Sequence, residues 1–221
     1  MKVILFGGSG MIGQGVLLEC VRAGDVSRVL VVGRTTAGSS DPKVEELLHA
    51  DFTDFSAVEA RFAGYDACFY CLGVSSSGMS EADYTRVTYD YTVAAAGAVA
   101  RQSPQAVICF VSGASTDATE QGKTMWARVK GRAENAVARM PFRAAYMFRP
   151  AIIQPLDGIR SKTPAYRTLY TLMAPLFPVV KAVFPRHVTT TERVGKAMLR
   201  IAREGAPLKI LENPDINALG A

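Results

Sequence analysis

The chain is short of cysteine and histidine and has no long block of one charge, and each shortage removes a class of protein. Its four cysteines, Cys20, Cys68, Cys71 and Cys109 in 221 residues, do not form the framework of a disulfide-stapled secreted fold. Cys68 and Cys71 have the spacing of a redox pair, but they sit in the apolar run DACFYCLG, which reads as a buried strand. Residues three apart on a strand point to opposite faces, so these thiols do not bridge easily. Reduced core cysteines, and with them a cytoplasmic protein, are the expectation. The only histidines, His49 and His187, have no second ligand at metal spacing, so no metal is expected. Lys and Arg number 25 against 20 Asp and Glu, for a formal charge of +5 and a pI near 9.1. No five basic residues are consecutive, which sets nucleic acid aside and leaves a small phosphate-bearing molecule as the anionic partner. The opening run VILF stops after four residues at Gly7-Gly8, too short for a secretory signal. No later stretch is long enough, and free enough of charge and proline, for an integral membrane segment.

What the chain does have is a succession of short apolar runs separated by helical patterns. Strands are expected at 3–6, 28–33, 66–72, 106–112 and 144–150, and a short segment ends at His49-Ala50-Asp51 after the polar loop 35–43. Helices are expected at 11–23, 54–62, roughly 81–101 and roughly 124–139. Fully apolar short strands that alternate with helices imply a parallel sheet covered on both faces. The fold class is therefore α/β, a doubly wound parallel sheet of Rossmann type with a small C-terminal region. Residues 1–150 form the dinucleotide-binding core, and 151–221 a substrate or lid segment completing the same domain. Within that segment 169–185 is strongly apolar and cut by three prolines, so it is not one straight helix. Core plus substrate lid is the expectation for 164–185, ahead of a membrane-surface element. The run TTTERVGKAMLRIAREG reads as a helix with Thr189 and Glu192 as a capping box and Gly205 as its stop. PLKIL at 207–211 is a last strand.

The first loop carries the chemistry. Gly7, Gly10 and Gly13 follow a strand and open a helix, the context a dinucleotide site demands. Gly7 permits the turn, Gly10 lets a pyrophosphate approach the backbone, and Gly13 lets helix and strand pack closely. The N–H groups of Met11 and Ile12 then face the phosphates with the helix dipole behind them, and Ser9 adds a hydroxyl. At the end of the second strand an NAD site usually carries Asp or Glu. Here Arg34 stands 21 residues beyond Gly13. A guanidinium clasps a 2′-phosphate bidentately, so NADP(H) is expected rather than NAD.

With these residues in view, the chain resembles the short-chain dehydrogenase/reductase superfamily over residues 2–200. It is most similar to the atypical branch that includes the Tat-interacting-protein oxidoreductases and bacterial epimerase/dehydratase-like proteins. The resemblance rests on GGSGMIG at 7–13, VVGR at 31–34, ADF at 50–52 and FYCLG at 69–73. It continues through TYDYT at 88–92, FVSGAS at 110–115, VKGRAE at 129–134 and FRPAII at 148–153. It implies that Asp51 and Phe52 sit beside adenine and that Leu72 and Gly73 pass under the cofactor ribose. Pro150 to Ile152 would line the nicotinamide. Ser112 would orient a substrate oxygen, with Ser115 close enough to compete, and Lys130 would bond the nicotinamide ribose. The family's reactive tyrosine, four residues before the lysine, is here Trp126, whose indole is no acid or base near neutral pH. Tyr84, Tyr89 or Tyr166 reaching in, or an acceptor protonated by water, are the ways around it.

Two functions follow as expectations. One is an NADPH-dependent reductase of a small apolar carbonyl or quinone-like substrate. The other is a non-enzymatic NADP(H)-binding module that reports cofactor state to a protein partner. A nucleotide-sugar epimerase-like enzyme is disfavoured, because about 70 residues after Pro150 leave little room for a sugar clamp. Relatives often dimerise through helices corresponding to 81–101 and 124–139, which makes a homodimer one expected assembly.

Overall fold

Each apolar run closes into a strand because both of its faces find a helix layer to bury against. A computed structural model describes residues 1–159 and 177–221. The main sheet contains β1 (Lys2–Phe6), β2 (Arg28–Gly33), β3 (Val44–Leu48), β4 (Ala67–Tyr70), β5 (Val107–Val111), β6 (Ala144–Arg149) and, late in the chain, β9 (Ile210–Glu212). Their order is β3-β2-β1-β4-β5-β6-β9, and every pairing is parallel. This is the Rossmann arrangement, with the order reversing between β1 and β4.

Alternation along β1 sets up two cores. Val3 and Leu5 pack with Val16, Phe148 and Met198 on the side of α1 (Met11–Arg22) and α6 (Thr191–Glu204). Ile4 and Phe6 face the other way, toward α3 (Tyr91–Gln102) and α4 (Met125–Ala138), among Phe52, Phe55, Phe62 and Tyr70. Cys68 falls in the second core and Cys71 lies against the first. The helix expected from 81 to 101 runs as α2 (Glu81–Thr85), a π-helical turn at Arg86–Asp90, and α3. Beyond β6 a small sheet pairs β7 (Ile152–Gln154) with β8 (Val188–Thr190), and a short helix, α5, spans Phe177–Val183. The chain ends in α7 (Asn213–Leu219).

Three expectations are corrected. Residues 54–62 form no helix beyond one 3₁₀ turn at Glu59–Phe62. Asp54 captures the N–H and hydroxyl of Ser56, and Phe55 and Phe62 are pinned edge-on or tilted around Phe6, which holds the backbone in turns. The cap of α6 is Thr190, whose hydroxyl accepts the Arg193 N–H at 3.1 Å; Thr189 precedes it in β8. The last strand begins at Ile210 and not at Pro207. Gly205 does end α6, with φ +74°. Most of the lid expected at 164–185, Tyr166 included, lies outside the described residues.

Candidate functional site

Open α/β sheets take their ligands in a crevice outside the carboxyl ends of the strands at the point where the order reverses, which here lies between β1 and β4. The glycine loop leaves β1 at this point and leads into α1. Gly7 adopts φ +80°, and a Cβ there would lie 2.8 Å from the Leu72 nitrogen and 2.9 Å from the Cys71 carbonyl carbon. The Gly10 N–H donates to the Gly7 carbonyl at 2.9 Å, which folds the turn. A Cβ on Gly13 would sit 2.1 Å from that same carbonyl oxygen, so α1 meets the loop backbone to backbone. No side chain caps the start of α1, which leaves the N–H groups of its first turn, Met11 and Ile12 included, without a side-chain acceptor. Ser9 Oγ lies 3.3 Å from Thr35 Oγ1, tying this loop to the one after β2.

Arg34 follows β2 directly and is exposed. Its guanidinium makes no hydrogen bond or ion pair among the described residues. The loop's carboxylate, Glu46, is occupied by the N–H groups of Ala37 and Gly38. Asp51 is exposed, and hydrogen bonds from the Thr53 hydroxyl and N–H hold its carboxyl below the usual range. Phe52 is only 1% exposed; its ring packs edge-on against Phe6 and Phe55 and belongs to the core. Leu72 lies under Gly7, while nothing stands within 4 Å of where a Gly73 side chain would begin. Pro150 accepts the Ala114 N–H at 3.0 Å, and Ile152 is 37% exposed with its N–H donated to His187.

Ser112 stands just past β5, and Trp126 and Lys130 stand on α4. Trp126, Lys130 and Glu134 recur every four residues and so lie on one side of α4, from which Glu134 reaches the sheet. Ser112, just past β5, is 8% exposed and donates its hydroxyl to Glu134 Oε1. It therefore meets α4 one turn beyond Lys130 and two beyond Trp126. Glu134, 2% exposed, also accepts Arg149 Nε at 3.0 Å and a second guanidinium nitrogen at 2.5 Å. These bonds hold Arg149 charged despite its burial. Lys130 is half-buried, and removal from water pulls its ammonium down to about 8, with Glu134 opposing only in part. Ser115 is exposed at φ +67°, a backbone strain of the kind found at sites. Tyr84 is buried in full and Tyr89 lies 4.6 Å beneath the Arg132 guanidinium.

Glu134 and Arg149 escaped the sequence reading. Their signal was a carboxylate one turn after Lys130 and an arginine ending a strand otherwise apolar. A separate open cleft of about 260 Å³ at the start of α6, lined by Leu156, Thr190, Glu192, Arg193 and Lys196, shares no residue with this crevice. Among the described residues no helix is long and apolar enough to cross a membrane, and no three His, Cys, Asp or Glu side chains are grouped to hold a metal.

Comparison with known proteins gives a family and a fold. The model of the NAD dependent epimerase/dehydratase family matches residues 3–133. Protein fmp52-2, mitochondrial, of Aspergillus oryzae is 24% identical over 221 residues, covering 98% of this chain and 95% of that one. A short-chain dehydrogenase/reductase family oxidoreductase from Burkholderia thailandensis superposes with a TM-score of 0.69 at 16% identity, over 97% of this chain and 92% of that one. MoeE5 in complex with UDP-glucose and NAD superposes with a TM-score of 0.68 at 15% identity, over 96% and 75%. The fungal relative corrects the cytoplasmic expectation, since it carries a mitochondrial name. The cysteines did not bear on location: burial pushes Cys20 up to about 12 and raises the other three thiols, which disfavours the reactive thiolate. From the glycine cradle at the sheet's point of reversal and the family match spanning it, the chain belongs to the NAD dependent epimerase/dehydratase family.

Proposed function

We propose that the protein is an NADP(H)-dependent oxidoreductase that reduces a small, apolar carbonyl or quinone-like substrate. The observation that carries the cofactor choice is Arg34, an exposed guanidinium with no partner among the described residues, just past the strand beside the glycine loop. A 2′-phosphate supplies the bidentate anion it lacks. The cradle fits a diphosphate for a related reason: Gly7 and Gly13 have no volume for a Cβ, so only main chain lines it. Residues 1–150 hold the cofactor in this proposal, and 151–221 complete the pocket. The exposed Asp51 and the backbone of Phe52 border the adenine, Leu72 and Gly73 pass beneath a ribose, and Pro150 and Ile152 flank the nicotinamide. Lys130 reaches the nicotinamide ribose. Ser112, committed to Glu134, sets the wall of the pocket, and Ser115 offers the exposed hydroxyl to the substrate oxygen. When bound, the dinucleotide supplies hydride; positioning, exclusion of water and proton supply fall to the chain.

Isothermal calorimetry with NADPH and NADH tests this directly. NADPH should bind at least tenfold more tightly than NADH, and equal affinities would remove the phosphate role from Arg34.

Trp126 favours a second reading, a catalytically silent NADP(H)-binding module that signals to a protein partner, because it replaces an ionisable phenol by an indole. Steady-state NADPH oxidation against a panel of aldehydes and quinones separates the two.

A further inference from the structure

Among the described residues no side chain pairs with the Lys130 ammonium. It makes no hydrogen bond and no ion pair among the described residues. Its one close carboxylate, Glu134, has both oxygens taken by Arg149 and Ser112. Among the described residues, the other charged groups on the elements packed against α4 form no ion pair with Lys130. Glu81 holds Arg128, Asp83 holds Arg86, Glu59 holds Arg101, and Arg132 covers Tyr89. Asp117, in the loop before α4, is bound by Thr119 and Gly122, and Asp90 forms no ion pair with Lys130. Residues 160–176, outside the described set, contain no Asp or Glu at all. A half-buried ammonium without a counter-charge gives up a proton readily. Lys130 also stands one turn from Trp126 and one turn before Glu134, the residue by which α4 reaches Ser112 at the end of β5.

We propose that Lys130 Nζ is the proton donor of the reduction, doing the work a phenol at position 126 would do. The inference rests on the proposed oxidoreductase function. As the carbonyl carbon accepts hydride from the reduced nicotinamide, the C=O π pair moves onto oxygen. An N–H bond of the ammonium breaks while the new O–H bond forms, and the neutral amine then takes a proton from water. Three N–H donors allow one to stay on the ribose while another faces the substrate oxygen. The Glu134–Arg149 pair has a positioning part in this: by keeping the carboxylate occupied, it keeps the ammonium acidic.

The test uses the whole chain and two readouts. Lysines are reductively methylated with ¹³C-formaldehyde, and the Lys130 signal is identified by its loss in Lys130→Arg. It should titrate with a midpoint near 8; a midpoint above 10, or a Lys130 that does not react, overturns the proposal. In parallel, NADPH-dependent reduction of 4-nitrobenzaldehyde is followed in the wild type, Lys130→Met and Tyr166→Phe. Lys130→Met should lose roughly 100-fold or more in turnover, the usual share of a general acid. Its NADPH dissociation constant should rise about 10-fold, because the ammonium's bond to the ribose goes with it, and saturating NADPH then isolates the loss in turnover. Wild-type turnover should fall above pH 8, and Tyr166→Phe should behave as wild type. Turnover that survives in Lys130→Met, turnover lost in Tyr166→Phe, or no turnover at all with NADPH bound each overturns the assignment. If calorimetry shows no NADPH binding to the wild type, it is the proposed function that fails, before Lys130 comes into question.

Discussion

The two ends of the crevice are built on opposite principles. At β1 the wall is main chain: Gly7 and Gly13 touch neighbouring backbone so closely that any side chain would collide with it. At β5 and α4 the wall is side chain, a buried network in which Glu134 gathers Ser112 and Arg149 and leaves Lys130 alone. A main-chain cradle recognises what every dinucleotide shares. A side-chain cluster sets which reaction follows, and here position 126 beside it carries an indole, which does not ionise. Recognition of the cofactor and choice of chemistry thus belong to separate, separately mutable parts of one edge.

The largest effect should come from breaking the side-chain end. Glu134→Ala strands a buried guanidinium, and loss of one partner of a buried pair costs about 3–5 kcal/mol. For a chain of this size that is a drop of about 6–20 °C in thermal midpoint by differential scanning calorimetry. A drop under a few degrees would mean that Arg149 finds Glu212, 3.5 Å away, as a substitute. The main-chain end should come next. Gly13→Ala places a methyl 2.1 Å from the Gly7 oxygen. It should cost about 3 kcal/mol by overpacking and abolish NADPH binding in the same calorimeter cell. A folded Gly13→Ala that still binds would show that the loop relaxes and that the contrast between the two ends is overdrawn.

Arg34→Ala probes the cofactor alone. Removing one charge-assisted partner, about 1.5–3 kcal/mol, should weaken NADPH by about 10- to 100-fold and leave NADH within about twofold by titration calorimetry. The smallest effect concerns pH. Lys130, held near 8 in the folded chain against 10.5 when free, binds its proton more weakly folded than unfolded. Stability is therefore reduced below pH 8 and recovers as pH rises from about 8 toward 10.5. Lys130→Met should melt a few degrees above wild type at pH 7, and the difference should shrink toward pH 10. A difference that grows with pH would mean that the ammonium has a partner.

Much of the fold was legible because burial on both faces leaves a mark no other arrangement leaves. VILF, RVLVVG and AVICFVS read as strands, and the strands formed at those places. Residues 54–62 misled because their spacing is helical while Asp54 and the phenylalanines act through contacts with Ser56 and Phe6. Thr189 and Thr190 were indistinguishable as caps by spacing, and only the path out of β8 selected the second. At the site, the glycines were readable because glycine is required where backbone meets backbone. Glu134 and Arg149 were not, since their value lies in a meeting across 15 residues of chain that ordinary charge patterning does not reveal.

By itself, the order of residues determined the parallel sheet, the position of the glycine loop and the absence of a phenol at Trp126. These follow from local chemistry: apolar runs that need cover, glycines that admit backbone contact, and an indole that does not ionise. Tertiary structure decided where Ser112 sends its proton, which carboxylate Arg149 satisfies, and that Lys130 keeps an unshared charge. Those outcomes depend on which face of α4 the sheet accepts, and so on distances between parts of the chain that only folding brings together.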